Sequence, residues 1–447
     1  MTVRFLLGGY RGLTLWILFL SNTMFSSVQA FVASSGRGGL RRQTLASQAA
    51  STNDLPDFNN SKEQPTVRVN ELKSIDRIYC LSDLHTDHVS NLEWVSDHCQ
   101  SLSTRDLLVV AGDISHKSDR LRETFDAIRS NTDCQIFFVP GNHEAWIDTS
   151  SNNEDDDIED SFAKLAGVLD TCRECGVLVD ATRVDGDQPV WIVPLQSWYD
   201  GSLSLPNCRD LCTDFPRWPW TDFARCRWTG HEPMGGDNGR IPQGVTQHFH
   251  QQNQATIDTV NQRRRSKRTR RRQWRRLPLL RRQAEEEEDG GQEEPVMTVS
   301  HFLPNRQSLP DWKDLSVRSF QRDEWLDHGA PGTSAKFAKV AGSLSLDQQF
   351  RSLGATIHVF GHSHRPKDFV LDGVRYVHNP LGYGRERDMY MVSPKVDLKP
   401  VWDTRTGHVP GEQVLRLWEE QGGGVEALHA RMEARRGGGR RRGRRLL

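Results

Sequence analysis

The chain has 447 residues, 26% of them charged, and its 58 Lys and Arg against 59 Asp and Glu leave a net charge of −1. With 36% apolar residues and a mean hydropathy of −0.64, it is not packed throughout its length. Part of it should therefore be disordered, while roughly 330 residues remain to bury one substantial core.

The first 30 residues read as a secretory signal peptide. Arg4 and Arg11 flank the start of the apolar stretch Leu13 to Leu20, and Val28 and Ala30 supply small residues before a cleavage site. The run is too short for a membrane span, so no stable span is expected after processing. Residues 31–72 then carry Arg37, Arg41 and Arg42 among Ser, Thr and Ala, with no acid before Asp54, as in an organellar transit peptide and linker. A two-part presequence of this kind resembles those of algae with secondary plastids. Plastid import is expected, with secretion or the endomembrane system as the alternative.

Five apolar runs follow, each read as a buried strand and each closed by a short polar motif. Ile78–Leu81 leads into Asp83-Leu84-His85, Leu107–Ala111 into Gly112-Asp113, and Ile136–Val139 into Gly141-Asn142-His143-Glu144. Val296–Val299 leads into Ser300-His301, and Ile357–Phe360 into Gly361-His362-Ser363-His364. Between them, Phe162 to Cys175 is amphipathic and ends at Gly176 before an expected strand over Val177–Val179. That places Cys172 and Cys175 at a helix C-terminus rather than in a zinc motif, with a thiol redox switch as the alternative. Residues 230–294 read as a low-complexity insertion, with a basic run Arg263–Arg282, an acidic run Glu285 to Asp289, and at most a short helix over Gln254–Arg264. His248 and His250 fall in a polar loop on that reading. Phe369 to Val377, centred on Asp372-Gly373, spells a β-hairpin with a type I′ turn. Residues 405–447 form a basic tail.

Motifs at the carboxyl ends of α/β strands sit where such sheets bind ligands. Two Asp, one Asn and four or five His, without Cys, make an oxygen and nitrogen donor set unlike a closed structural zinc site. Seven ligands are too many for one tetrahedral ion but suit two ions sharing a carboxylate. Such pairs activate hydroxide and clamp the oxygens around phosphorus. His88 and His116 lie near these motifs without filling a ligand slot.

The order of the motifs resembles the calcineurin-like metallophosphoesterases, over about Asp76 to Trp402. The resemblance implies an αββα two-sheet sandwich over 73–404, interrupted by the charged insertion. It implies that Asp83, His85 and His364 hold one metal, that Asn142, His301 and His362 hold the other, and that Asp113 bridges them. His143 would face the substrate phosphate, with Glu144 orienting it. The residues after Asp113, Ile114 to Arg120, do not match the GDxVDRG of the protein phosphatase branch. His301-Phe302-Leu303-Pro304 and Gly382 to Arg387 look like phosphoesterases of plants and algae. The expected activity is hydrolysis of phosphoesters by a metal-bridging hydroxide, with Mn, Fe, Zn or Ni as the ions. Arg365, Arg385 and Arg387 are candidates for a phosphate clamp. The alternatives are a nuclease or weak polyanion binder using Arg263–Arg282 and the basic tail, or a scaffold of the same fold without chemistry.

Overall fold

Strand alternation decides the layers. The computed structural model describes residues 67–420 apart from 131, 148–159, 275–292 and 327–329, together with 429, 430 and 433. The signal and transit segments up to residue 66 and most of the basic tail lie outside the described residues. The strands are β1 (Val69–Leu72), β2 (Arg77–Leu81), β3 (Asp106–Ala111), β4 (Gln135–Val139), β5 (Ala181–Val184), β6 (Val190–Pro194), β7 (Pro233–Gly235), β8 (Gly239–Pro242) and β9 (Val296–Val299). They continue with β10 (Ala355–Phe360), β11 (Lys367–Leu371), β12 (Val374–His378), β13 (Lys399–Asp403) and β14 (Gly407–His408). One sheet has seven strands, ordered β1-β5-β6-β9-β10-β12-β11, and the other has five, ordered β14-β13-β2-β3-β4.

In β3, Leu107, Val109 and Ala111 point into a layer shared with Ile192 of β6, Met297 of β9 and Val359 of β10, so the sheets pack face to face. The intervening Leu108 and Val110 point the other way, onto Val95, Phe125 and Val168 of helices Val89–Cys99, Ser118–Arg129 and Ser161–Glu174. β6 does the same for the larger sheet, with Ile192 inward and Trp191 and Val193 outward against Phe249, Ala338 and Phe350. Each fully buried Val or Leu stabilises by roughly 1.5–3 kcal/mol. The result is the expected αββα sandwich.

All five expected strands form. β2, β3 and β4 run parallel, as do β6, β9, β10 and β12. The hairpin also forms, with Asp372 and Gly373 at φ of 48° and 80°, both positive as a type I′ turn requires. Helix Ser161–Glu174 ends at Cys175 and Gly176, and Gly176 adopts φ 64°. All eight cysteines are free thiols. Val177–Val179 is not a strand. Leu178 alone bridges to Phe137, because the chain here only crosses the edge of β4 on its way to the other sheet.

The expected insertion over 230–294 differs most from its sequence reading. Residues 233–242 form the β7–β8 hairpin, and Val245–Trp274 is one helix of 30 residues, far longer than Gln254–Arg264. Its apolar side buries Val245, Phe249, Ile257 and Val260 outside the seven-stranded sheet. Asn253 donates to the Gln196 carbonyl at 2.8 Å, and Arg264 donates to the carbonyls of Leu353 and Glu294. His248 and His250 lie on this helix, not in a loop. The apolar positions were hidden among Gln, Asn and Arg, which lowered the average hydropathy without breaking the helical period. Residues 275–292, with the end of the basic run and the acidic run, lie outside the described residues. Val260→Asp would place a charge where the side chain has no exposure. It should lower unfolding free energy by about 3 kcal/mol or more in urea denaturation, whereas an unstructured insertion would tolerate it.

Candidate metal centre

The loops after β2 and β3 run side by side. Asp83 and His85 donate backbone N–H groups to the carbonyls of Gly112 and Asp113 at 3.0 and 2.9 Å. Each loop turns sharply, and Asp83, His85, Asp113, His362 and His364 all have positive φ, between 44° and 75°. Such backbone costs of order 1 kcal/mol or more per residue and clusters at functional sites. It folds the side chains back over the strand ends. Gly361 is required by closeness rather than by φ: a Cβ there would lie 2.6 Å from the Ala111 carbonyl oxygen and 2.9 Å from His301 Nδ1.

All seven expected ligands come together. Ligand atoms of Asp83, His85, Asp113 and His364 lie within 4.8 Å of one another, and so do those of Asp113, His301 and His362. Asp113 belongs to both groups. Asn142 Oδ1 completes the second, at 3.1 Å from His301 Nε2 and 3.0 Å from His362 Nδ1.

The donor chemistry of these contacts is specific. His301 Nδ1 is 2.9 Å from the Ala111 carbonyl, and His362 Nε2 is 3.0 Å from the Val340 carbonyl. A carbonyl only accepts, so these nitrogens carry the hydrogens. In the neutral rings, His301 Nε2 and His362 Nδ1 are then lone pairs, and both face the lone pairs of Asn142 Oδ1. His364 is fixed on one side only: its Nδ1 meets the Glu386 carboxylate at 2.8 Å, while its Nε2 lies 2.7 Å from His85 Nε2, and one proton or one cation suffices between them. Opposed lone pairs at these distances repel unless a proton or a metal cation lies between them. The donor set therefore fits cations of the transition series.

The charge balance shows where protons go when no cation is bound. Burial alone would raise Asp83, but its hydrogen bond with His378 and the charge of His364 hold it below the usual carboxylate range. Burial works to lower His301, yet Asp113 outweighs it and holds the imidazole up at about 9, so without a cation a proton occupies Nε2, toward Asp113. Burial, then the charge of His364, pushes His85 down to about 4, and burial, then His301, pushes His362 down to about 3.

His143 sits at the open side with 15% of its side chain exposed, its Nε2 3.8 Å from Asp113 Oδ2. Its ring stacks on Trp146 at 3.7 Å. Burial holds it well below the ordinary imidazole range, with Asp113 pulling the other way. Glu144 does not orient it, contrary to expectation. The Glu144 carboxylate accepts four backbone N–H groups, from Gly141, Asp113, Ile114 and Ser115, at 2.7 to 3.0 Å. It ties the β3 and β4 loops together, and it is fully buried.

The three arginines proposed as a clamp are differently occupied. Arg387 donates to the carbonyls of Leu381 and Gly382 and to Asn91, so it braces the loop instead of facing a substrate. Arg365 donates to the His364 carbonyl and pairs with Glu386 at 3.4 Å. The Arg385 guanidinium lies 5.4 Å over the Tyr383 ring. His88 meets the edge of that ring, and His116 lies by Asp87, one step outside the ligands.

Four neighbours were given no role from the sequence, although Tyr383 and Glu386 fall within the Gly382 to Arg387 motif. His378 donates to Asp83 at 3.0 Å, and Tyr383 stacks on His85 at 4.6 Å. Glu386 anchors His364, and Asp222 accepts from Asn142 Nδ2 at 2.9 Å. His378 carried a signal, since it closes an apolar strand as the five motifs do. Asp222 carried none, lying in a segment rich in Trp and Arg without a period.

Two facing sheets with buried carboxylate, amide and imidazole donors at their carboxyl edges define a metal-dependent hydrolytic site of the αββα class. The chain belongs to the calcineurin-like phosphoesterase family, whose profile matches residues 76–366. It is 32% identical over 138 residues to the [acyl-carrier-protein] phosphodiesterase PptH of Mycobacterium tuberculosis. That segment covers 29% of this chain and 39% of the relative, well under two thirds of its length. The crystal structure of phosphopantetheinyl hydrolase (PptH) from Mycobacterium tuberculosis shares the fold, with a TM-score of 0.51 and 21% identity over 76% of this chain and 99% of that one.

Glu144→Gln tests the bracing role. An amide offers one acceptor and turns its own N–H groups toward backbone donors, so the variant should lose about 2–4 kcal/mol of stability in denaturant titration. A Glu144 that acted only on His143 would cost turnover and leave stability unchanged.

Proposed function

We propose that the chain hydrolyses phosphoesters with two metal ions, one held by Asp83, His85 and His364 and the other by Asn142, His301 and His362, with Asp113 shared. The observation that carries this reading is the convergence of His301 Nε2, His362 Nδ1 and Asn142 Oδ1 beside a carboxylate common to both groups. When bound, paired cations supply an ionised water as nucleophile and neutralise the phosphoryl oxygens. The chain's own residues do the rest. The N–H groups on the far sides of His301, His362 and His364 fix which nitrogen faces inward. His143, stacked on Trp146 at the open side, is placed to donate a hydrogen bond to a phosphoryl oxygen and a proton to the departing alkoxide. An arriving phosphoryl anion raises its proton affinity at the moment it is needed. No ligand position has lost its donor, which favours an enzyme over a scaffold.

Among phosphoesters, a diester is the favoured substrate. The support is the 32% identity with a relative named for phosphodiester cleavage on acyl carrier protein.

Chelation should abolish turnover, and Mn²⁺ should restore it best. Asp113→Asn should be the most damaging single change, lowering metal content and turnover together, as read by elemental analysis of the purified protein. Full activity at near-zero metal content would overturn the mechanism.

His143→Ala should instead keep both ions and lower turnover by roughly 10²–10⁴. The loss should shrink for a p-nitrophenyl diester, whose leaving group needs little protonation, and stay large for phosphopantetheinyl acyl carrier protein. Loss of metal in this variant would show that His143 is a ligand.

A further inference from the structure

Asp222 opens the short helix Asp222–Arg225, in the segment between β6 and β7 that belongs to neither sheet. Its side chain is 2% exposed, and its hydrogen-bond partners are donors. Oδ1 accepts from Asn142 Nδ2 at 2.9 Å and from Trp146 Nε1 at 2.7 Å, and Oδ2 accepts from Trp220 Nε1 at 2.8 Å. The buried Tyr199 hydroxyl hydrogen-bonds to it as well. An ionised carboxylate has acceptors only, so it distinguishes the two ends of an amide. With Asn142 Nδ2 drawn to Asp222, Oδ1 has one remaining direction, toward His301 and His362. Rotating the amide by half a turn would set its oxygen against a carboxylate and its N–H groups toward the metal.

The same carboxylate seats two indoles. Trp146 is the ring on which His143 stacks, and Trp220 stands edge-on to His362 at 6.1 Å. One side chain from outside the sheets thus reaches an inward-facing amide, a histidine on the same rim and the ring under the substrate-facing imidazole. We propose that Asp222 is a positioning residue, which points the Asn142 amide oxygen at the metal centre and holds His143 in place through Trp146. This rests on the reading of Asn142 as a metal ligand.

The test is metal affinity rather than turnover. Mn²⁺ binding to the full chain is measured by chelator competition for wild type, Asn142→Ala, Asp222→Asn and the exchanged pair Asn142→Asp with Asp222→Asn. In Asp222→Asn, affinity for one of the two ions should fall about 10–100-fold, the usual effect of disturbing a group behind a ligand, while the other ion stays bound as in wild type. The exchanged pair should recover most of that loss. Its new carboxylate presents an oxygen to the metal whichever way it turns, and its other oxygen can accept from the new amide. Near-wild-type affinity for both ions in Asp222→Asn, with one ion lost in Asn142→Ala, would overturn the positioning role and leave the ligand reading standing. Retention of both ions in Asn142→Ala would overturn the ligand reading and this inference with it. Loss of both ions in Asp222→Asn, unrecovered in the exchanged pair, would mark Asp222 as a structural brace and overturn the proposal.

Discussion

The arrangement depends on one constraint: buried metal-ligating atoms that converge with no space for water between them. His301, His362 and His364 each spend one ring N–H on a fixed acceptor, and the other nitrogen points at Asn142 Oδ1 or, for His364, at His85 Nε2, about 3 Å away. Asp83 and Asp113, exposed by 0% and 2%, add two carboxylates to the same few ångströms. Uncompensated, such a cluster is among the most costly things a protein interior can hold. Paired with cations, it is a strong binding site. The two sheets are the frame that keeps the donors from relaxing apart.

That frame explains why the ligands come from separated parts of the chain. The β2 and β3 loops lie edge to edge, and Ser82 at the end of β2 bonds to Asn379 at the end of β12, so the sheets are joined where the site lies. His301 closes β9 and His362 follows β10, in the middle of the larger sheet. The smaller sheet contributes Asp83, His85, Asp113 and Asn142. Neither sheet alone carries a complete set.

The strand-end motifs were legible because a buried strand and a polar turn leave opposite marks on the sequence. Val109 and Val110 are apolar on both faces of a covered sheet, and the chain can become polar only where the strand stops. Glu144 misled for a related reason. A carboxylate beside a catalytic histidine reads as its partner, but four backbone N–H groups compete for it, and the direction of a backbone N–H is not written in residue types. The helix over 245–274 was obscured by composition, since four apolar positions among Gln, Asn and Arg suffice to pack one side of it. Asp222 was invisible because its meaning comes from Asn142, 80 positions earlier.

The left-handed turns carry a consequence for how such a site persists. Five of the seven positions proposed as ligands hold a conformation that Asp and His adopt reluctantly and glycine adopts freely. At these residues the interests of folding and of chemistry are opposed, since replacing the ligand with glycine would relax the main chain while destroying the centre. A lineage that no longer needed the reaction would be drawn downhill in stability terms at each of them. Glycine scanning of these five turns should therefore separate the two demands, since main-chain strain is relieved where binding is lost.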